Sequence, residues 1–189
     1  WSKHFGDEAD QSGEFVGVSA AGNVIIAGKV DGSIDLGGGV LTALQPTSYD
    51  FFVAAFGPDG SPLWSRVVSS PSFAFLADMA VSPSGEIALT GGFFNALDFG
   101  AGPLAGIGQG DAFVAKLSAD GALLWASARG GAQAVETGTA VAIDASGAVL
   151  LAGIFNTTTD VGTGPLVSAG ANDVFLARYG AAGEALSSR

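Results

Sequence analysis

Apolar residues in this chain fall in short runs that are cut by glycine, aspartate or serine, and the runs come in pairs around a single glycine. Val16-Gly17-Val18-Ser19 and Val24-Ile25-Ile26-Ala27-Gly28 flank Gly22. Met79-Ala80-Val81-Ser82 and Ile87-Ala88-Leu89-Thr90-Gly91 flank Gly85, and Val141-Ala142-Ile143-Asp144 and Val149-Leu150-Leu151-Ala152-Gly153 flank Gly147. A third run begins at an aspartate: Asp50-Phe51-Phe52-Val53-Ala54, Asp111-Ala112-Phe113-Val114-Ala115 and Asp173-Val174-Phe175-Leu176-Ala177. A turn and a last run follow, Pro58-Asp59-Gly60 before Leu63-Trp64-Ser65 and Ala119-Asp120-Gly121 before Leu124-Trp125-Ala126. Runs this short, punctuated this way, predict strands. Asp-Gly between apolar runs predicts a type I′ hairpin turn with positive φ at both central residues.

With Trp1, Trp64 and Trp125 as markers the landmarks align, giving repeats 1–63, 64–124 and 125–189 of about 62 residues. Each copy holds four strands, A to D, with tight A–B and C–D turns and a B–C connection of roughly 20 residues. Four antiparallel strands per repeat is the blade of a β-propeller, whereas a β-sandwich does not need three in-register copies of every turn. The expected fold is all-β, with 1–189 a single propeller segment: an arc of three four-stranded antiparallel blades. Propellers close with about four to eight blades, so the ring is incomplete. Trp1 then starts a D strand whose A to C strands lie in a preceding blade, and Ser187 stands where the last tryptophan would be. Either further blades of the same chain complete the ring, or a second copy closes it head to tail at six.

Composition narrows the setting. With 48% hydrophobic and 13% charged residues, the chain has material for a core. Its net charge of −11, from 18 acidic against 7 basic residues, repels phosphate backbones and anionic lipid heads, so no nucleic-acid partner is expected. Every apolar run is interrupted before the 18 or so residues of a membrane span, so no membrane insertion is expected. The lack of cysteine excludes disulfides, thiolate metal sites and thiol nucleophiles. No signal peptide precedes Trp1-Ser2-Lys3-His4, which reads as a mature product or a fragment.

In the second copy, Phe93 to Leu104 carries a Gly-x-Phe element followed by Asp-x-Gly-x-Gly-Pro-Leu, and Asp111 to Trp125 carries Asp-x-Phe-Val-Ala-Lys with a glycine turn before Leu-Trp. Ile154 to Leu166 and Asp173 to Gly183 repeat this in the third copy. In these elements the chain resembles the SBBP-type β-propeller repeats of bacterial secreted and surface proteins. The first copy departs from the pattern, with Val40 where proline is expected and Gln45-Pro46-Thr47-Ser48-Tyr49 in its B–C connection. The resemblance implies a propeller fold and a secreted or cell-surface location; it implies no reaction.

Candidate site residues each have a structural and a chemical reading. Trp1, Trp64 and Trp125 could form sugar-stacking platforms, but a large aromatic recurring once per copy is better explained as filling between sheets. Phe52, Phe113 and Phe175 are read the same way. Asp35, Asp98 and Asp160 recur at one loop position and are candidate calcium ligands, with an Asx-type turn as the simpler account. Asp50, Asp111 and Asp173 are read as turn residues too. Asp7, Asp10 and Glu14, in an acidic segment assigned to a D–A loop, are further calcium candidates.

No catalytic set is found. His4 is the one histidine, and Gly100-Ala101-Gly102-Pro103-Leu104-Ala105 fits a dinucleotide fingerprint only formally. Asp78 and Glu136 are acids without counterparts in the other copies. The expected function is a non-catalytic module of an exported bacterial protein, a scaffold or a protein- or glycan-binding surface on its D–A and B–C loops. The expected binding segments are Gly6 to Glu14, Ser69 to Leu76, Gly130 to Thr137 and Lys29 to Tyr49. The alternative is part of a propeller enzyme (a lyase, glycosidase or quinoprotein) with its active site in other blades.

Overall fold

The computed structural model describes residues 1–44 and 50–189; the Gln45–Tyr49 segment lies outside the described residues. The first unit comprises β1 (Gln11–Val18), β2 (Val24–Val30), β3 (Ser33–Asp35), β4 (Val40–Thr42), β5 (Asp50–Phe56) and β6 (Pro62–Val68). The second comprises β7 (Ala74–Val81), β8 (Ile87–Phe93), β9 (Ala96–Asp98), β10 (Pro103–Ala105), β11 (Asp111–Leu117) and β12 (Leu123–Arg129). The third comprises β13 (Thr137–Ile143), β14 (Val149–Phe155), β15 (Thr158–Asp160), β16 (Pro165–Val167), β17 (Asp173–Tyr179) and β18 (Ala185–Ser188). No helix occurs among the described residues.

Each unit forms one four-stranded antiparallel sheet, β1-β2-β5-β6, β7-β8-β11-β12 and β13-β14-β17-β18, and the three do not close a ring. A small hairpin (β3–β4, β9–β10 or β15–β16) fills each connection between the second and third strands. Its three-residue strands are too short to show a period, so the sequence reading left these connections without structure.

Six turns of one construction join the strand pairs. The N–H of Gly22, Gly85 and Gly147 donates to the carbonyl of Ser19, Ser82 and Asp144, each at 2.9 Å, and Gly60, Gly121 and Gly183 donate likewise to Gly57, Ser118 and Gly180. The expected type I′ geometry is corrected here. Only the glycine of each Asp-Gly pair is left-handed, with φ of 81° at both Gly60 and Gly121, while Asp59 and Asp120 keep ordinary φ. The reason is local: Asp59 Oδ1 accepts the Ser61 N–H at 2.9 Å, holding a turn longer than two residues.

Two bulges recur in every sheet. The first skips Glu14, Ala77 and Thr139 in β1, β7 and β13, opposite Gly28, Gly91 and Gly153. A Cβ on Gly28 or Gly91 would stand 1.8 or 1.9 Å from the carbonyl oxygen of Ser12 or Phe75, so only glycine allows this approach. The second skips Leu63, Leu124 and Leu186 and turns them outward, each about half exposed at 50%, 48% and 48%.

The sheets stack face to face. On β5 and β11, alternate side chains serve different neighbours: Phe51, Val53 and Ala55 pack with Phe113, Ala115 and Leu117 between the first two sheets. Ala112 and Val114 join Val141, Leu151, Phe175, Ala177 and Tyr179 between the second and third. Serving both faces makes β5, β8 and β11 buried from end to end. The junctions carry specific polar bonds as well. Asp78 Oδ2 accepts the Val141 N–H at 2.8 Å, and Lys116 Nζ bridges Glu86 of its own sheet (3.0 Å) to the Gly147 carbonyl of the next (3.0 Å).

Two sequence assignments move. Residues Gln11–Glu14 belong to β1 rather than to a loop. Trp1, expected to open a D strand, is in no strand.

Candidate functional site

The repeated residues are largely occupied by structure. Trp64 Nε1–H donates to the Ala119 carbonyl at 2.9 Å and Trp125 Nε1–H to the Ala181 carbonyl at 3.0 Å, each reaching from the fourth strand of one sheet to the last turn of the next. The indoles lie against Gly121 and Gly183 so closely that a Cβ there would overlap the rings. Trp1 does the same on the first sheet, donating to Pro58 at 3.0 Å over Gly60. Phe52, Phe113 and Phe175 are all buried.

The calcium candidates do not converge. Asp35 Oδ1 accepts the N–H groups of Gly37 (2.8 Å) and Gly39 (3.3 Å), and Asp98 and Asp160 repeat this with Gly100 and Gly102 and with Gly162 and Gly164. Each closes its small hairpin with an Asx turn. Asp7 accepts from the Ala9 and Ser33 N–H groups and the Gln11 amide, and the first of these most strongly holds its carboxyl below the usual range. The Asp10 carbonyl accepts the Asp31 N–H, and Glu14 accepts from the Ser12 hydroxyl at 3.0 Å. Among the described residues no group of three or more acids and histidines is placed to hold a metal ion.

Asp50, Asp111 and Asp173 tie the end of each small hairpin to the third strand: Asp50 Oδ2 accepts the Leu44 N–H at 2.6 Å, Asp111 Oδ2 the Ile107 N–H at 3.0 Å, and Asp173 Oδ2 the Ala169 N–H at 2.5 Å. Asp50 also accepts the Ser70 N–H at 3.0 Å, across to the second unit. At the next junction Asp111 instead meets Glu136. Asp111 Oδ1 and Glu136 Oε2 lie 2.1 and 2.9 Å from where a Cβ on Gly130 would stand, so the glycine makes room for two carboxyls.

Glu136 is 1% exposed, and both its oxygens are buried without a hydrogen-bond partner. Burial pushes its carboxyl up to about 7; the nearby Thr159 hydroxyl offsets part of this, and the Asp111 carboxylate adds to it. Pairing Glu136 with Asp111 needs coordinates, but its oddity is visible in the aligned text, since Ala74 and Gln11 hold the equivalent positions in β7 and β1. Two fully buried carboxyls do not meet a substrate, so this pair belongs to the junction.

An accessible site lies between the first two sheets, where the loop leaving β6 enters β7. A cleft of about 220 Å³ opens there, bordered by Glu14, Lys29, Phe73 and Phe75 and floored by Phe51. Glu14 reaches it because it is the skipped residue of the β1 bulge. Phe73 lies 5.8 Å from Phe75, and Phe94 stands behind it with ring centroids 6.1 Å apart; Phe73 and Phe94 are each 38% exposed. At the next junction Val135, Thr137 and Asn156 take the places of Phe73, Phe75 and Phe94, and the Val135 N–H is bonded to Asn156 Oδ1 at 3.1 Å. The aromatic cleft therefore occurs at one of the two junctions and not at the other. Sequence reading placed Phe73 and Phe75 in a binding loop without seeing that Phe94 joins them.

No family model matches the chain, and no curated protein is similar to it.

Proposed function

We propose that the chain is an arc of a β-propeller, of the SBBP-like repeat kind, that acts as a non-catalytic module of an exported bacterial protein and binds glycan at the cleft between its first two blades. The propeller reading is supported by the fixed order of strands in each sheet, the face-to-face stacking and the tryptophan that ties each sheet to its successor. The observation that carries the binding reading is the pair Phe73 and Phe75 beside Glu14, with Phe94 backing Phe73, present where the repeat does not require it. Aromatic faces stack on the apolar face of a sugar ring, while a carboxylate accepts from its hydroxyls. At about 220 Å³ the cleft is below the roughly 300–1,000 Å³ of drug-sized pockets, which suits one sugar unit of a longer chain rather than an enclosed cofactor.

Glycan-array binding with the Phe73→Ala, Phe94→Ala double variant tests this reading. Both rings are partly exposed, so the fold survives and binding is lost. Undiminished array signal from the double variant overturns the reading.

A further inference from the structure

The junction between the second and third sheets departs from its counterpart at three register positions. Glu136 stands just before β13 where the first junction has the buried Ala74. Thr159, on the small strand β15, stands where β9 has Leu97 and β3 has Ile34, both buried apolar residues. Gly131 takes the place of Ser70, whose N–H and hydroxyl are bonded to Asp50 Oδ1 at 3.0 Å and to the Ala96 carbonyl at 2.9 Å. A Cβ on Gly131 would stand 2.1 Å from the Thr158 carbonyl oxygen, so the glycine lets the β15–β16 hairpin close in on the junction.

The three changes put oxygen atoms together in the interior. Glu136 and Thr159 are each 1% exposed, and both carboxyl oxygens of the one and the hydroxyl of the other lack a hydrogen-bond partner. The Thr159 hydroxyl lies beside Glu136. From the second sheet comes Asp111: its Oδ1 and Glu136 Oε2 lie 2.1 and 2.9 Å from one point over Gly130, so they are no more than about 5 Å apart. Asp111 takes the Ile107 N–H on Oδ2 and the Gly108 N–H on both oxygens, which leaves Oδ1 room for a further partner. Among the described residues no basic side chain pairs with either carboxyl, and Arg129 is turned instead to the Tyr179 ring, 5.0 Å from its centroid.

A single proton shared by two buried carboxyls removes one charge and still leaves oxygens unmatched, whereas a cation satisfies all of them at once. We propose that Asp111, Glu136 and Thr159 bind one calcium ion, which fastens the third sheet to the second. Calcium takes six to eight oxygens at about 2.3–2.6 Å, so two of its ligands stand up to about 5 Å apart. Both Glu136 oxygens, Asp111 Oδ1 and the Thr159 hydroxyl supply four. A hollow of about 440 Å³ bordered by Gly130, Gly131 and Thr159 gives the ion a way in and room for the waters that complete its shell. Magnesium, which holds its ligands at about 2.0–2.1 Å in a strict octahedron, fits a bidentate carboxylate poorly. Without the ion Glu136 keeps a proton, which calcium displaces. The glycan cleft lies at the other junction, so the two readings fail separately.

Calorimetric titration of the chelator-treated chain with calcium chloride, alongside thermal melts, tests the site. The expected result is one ion per chain and a melting temperature about 5 °C or more higher at saturation, with magnesium giving no such rise. Glu136→Gln keeps the size of the side chain and removes a buried charge, so it folds, but its calcium affinity falls at least about tenfold. Thr159→Val, which restores an apolar residue like those in the other two hairpins, weakens calcium binding as well. No heat and no thermal shift up to millimolar calcium overturns the proposal. So does binding that Glu136→Gln leaves unchanged, because the ion then sits on the acidic surface, and so does an equal response to magnesium. If Glu136→Gln fails to fold, Thr159→Val decides: parental calcium affinity in that variant overturns the site.

Discussion

The two ends of the stack differ although their strands are written alike. At the first end, Phe52, Ala54 and Phe56 of β5 face away from the rest of the molecule and are nonetheless 2%, 0% and 1% exposed. The chain covers them itself, with Phe5 stacked on Phe56 at 5.5 Å, Trp1 beside it and Ile34 and Leu36 of the small hairpin alongside. Only the edge strand β1, with Val16 and Val18, stays open. At the other end nothing covers β17, whose side chains alternate between buried and exposed. Burial of a repeat position is thus a property of its neighbour more than of its own residue.

The largest test of that comparison sets Ala112→Asp against Val174→Asp, one register position in two environments. In the interior an unpaired carboxylate costs more than about 4 kcal/mol, and at the open end less than about 0.5 kcal/mol in the monomer. Urea denaturation measures both, and equal costs would sink the argument that position is neutral and neighbour decisive.

Glu136 sharpens the contrast between the two interior junctions, since the first has Ala74 in its place. Below about pH 4.5 its carboxyl is protonated in both the folded and unfolded chain. From there to about 7 the unfolded chain loses the proton and the folded one keeps it, so stability falls with rising pH. The full loss, on the order of 3 kcal/mol, is reached above pH 7. Glu136→Gln replaces the carboxyl with a neutral group of similar size and removes that fall. A variant whose pH profile between 4.5 and 7 matches the parent's shows that Glu136 titrates normally.

The bulge glycines make a control, because their constraint lies within one sheet. Gly28→Ala at the first end and Gly91→Ala in the middle should each cost about 2–3 kcal/mol, as Cβ meets a carbonyl oxygen at either place. A clearly smaller cost at Gly28 would show that end sheets relax. The smallest effects come from the indoles: Trp64→Phe and Trp125→Phe lose about 1 kcal/mol with the Nε1–H bond, and Trp1→Phe less, since Trp1 is 62% exposed. Denaturation midpoints at constant slope resolve these differences.

Much of this was legible because turns and strand pairs are local. Gly22, Gly60 and their counterparts announce hairpins from the text alone, and the aspartates that recur beside glycines are the ones that close small loops. The turn type was misjudged because Asp59 bonds Ser61 beyond the two central residues. The start of β1 was missed because Gln11–Glu14 is polar and shows no alternation of apolar residues. The cleft and the Asp111–Glu136 pair were out of reach, since Phe73 meets Phe94, and Asp111 meets Glu136, only once separate units are stacked.

The span from one tryptophan to the next is not the span of one sheet; the two are offset by a single strand, because Trp64 and Trp125 lie in the sheet before the turn each binds. A duplication of that span therefore delivers a whole sheet and its fastening in one piece, with no seam to repair. Lengthening such an array asks nothing new of the copies already present.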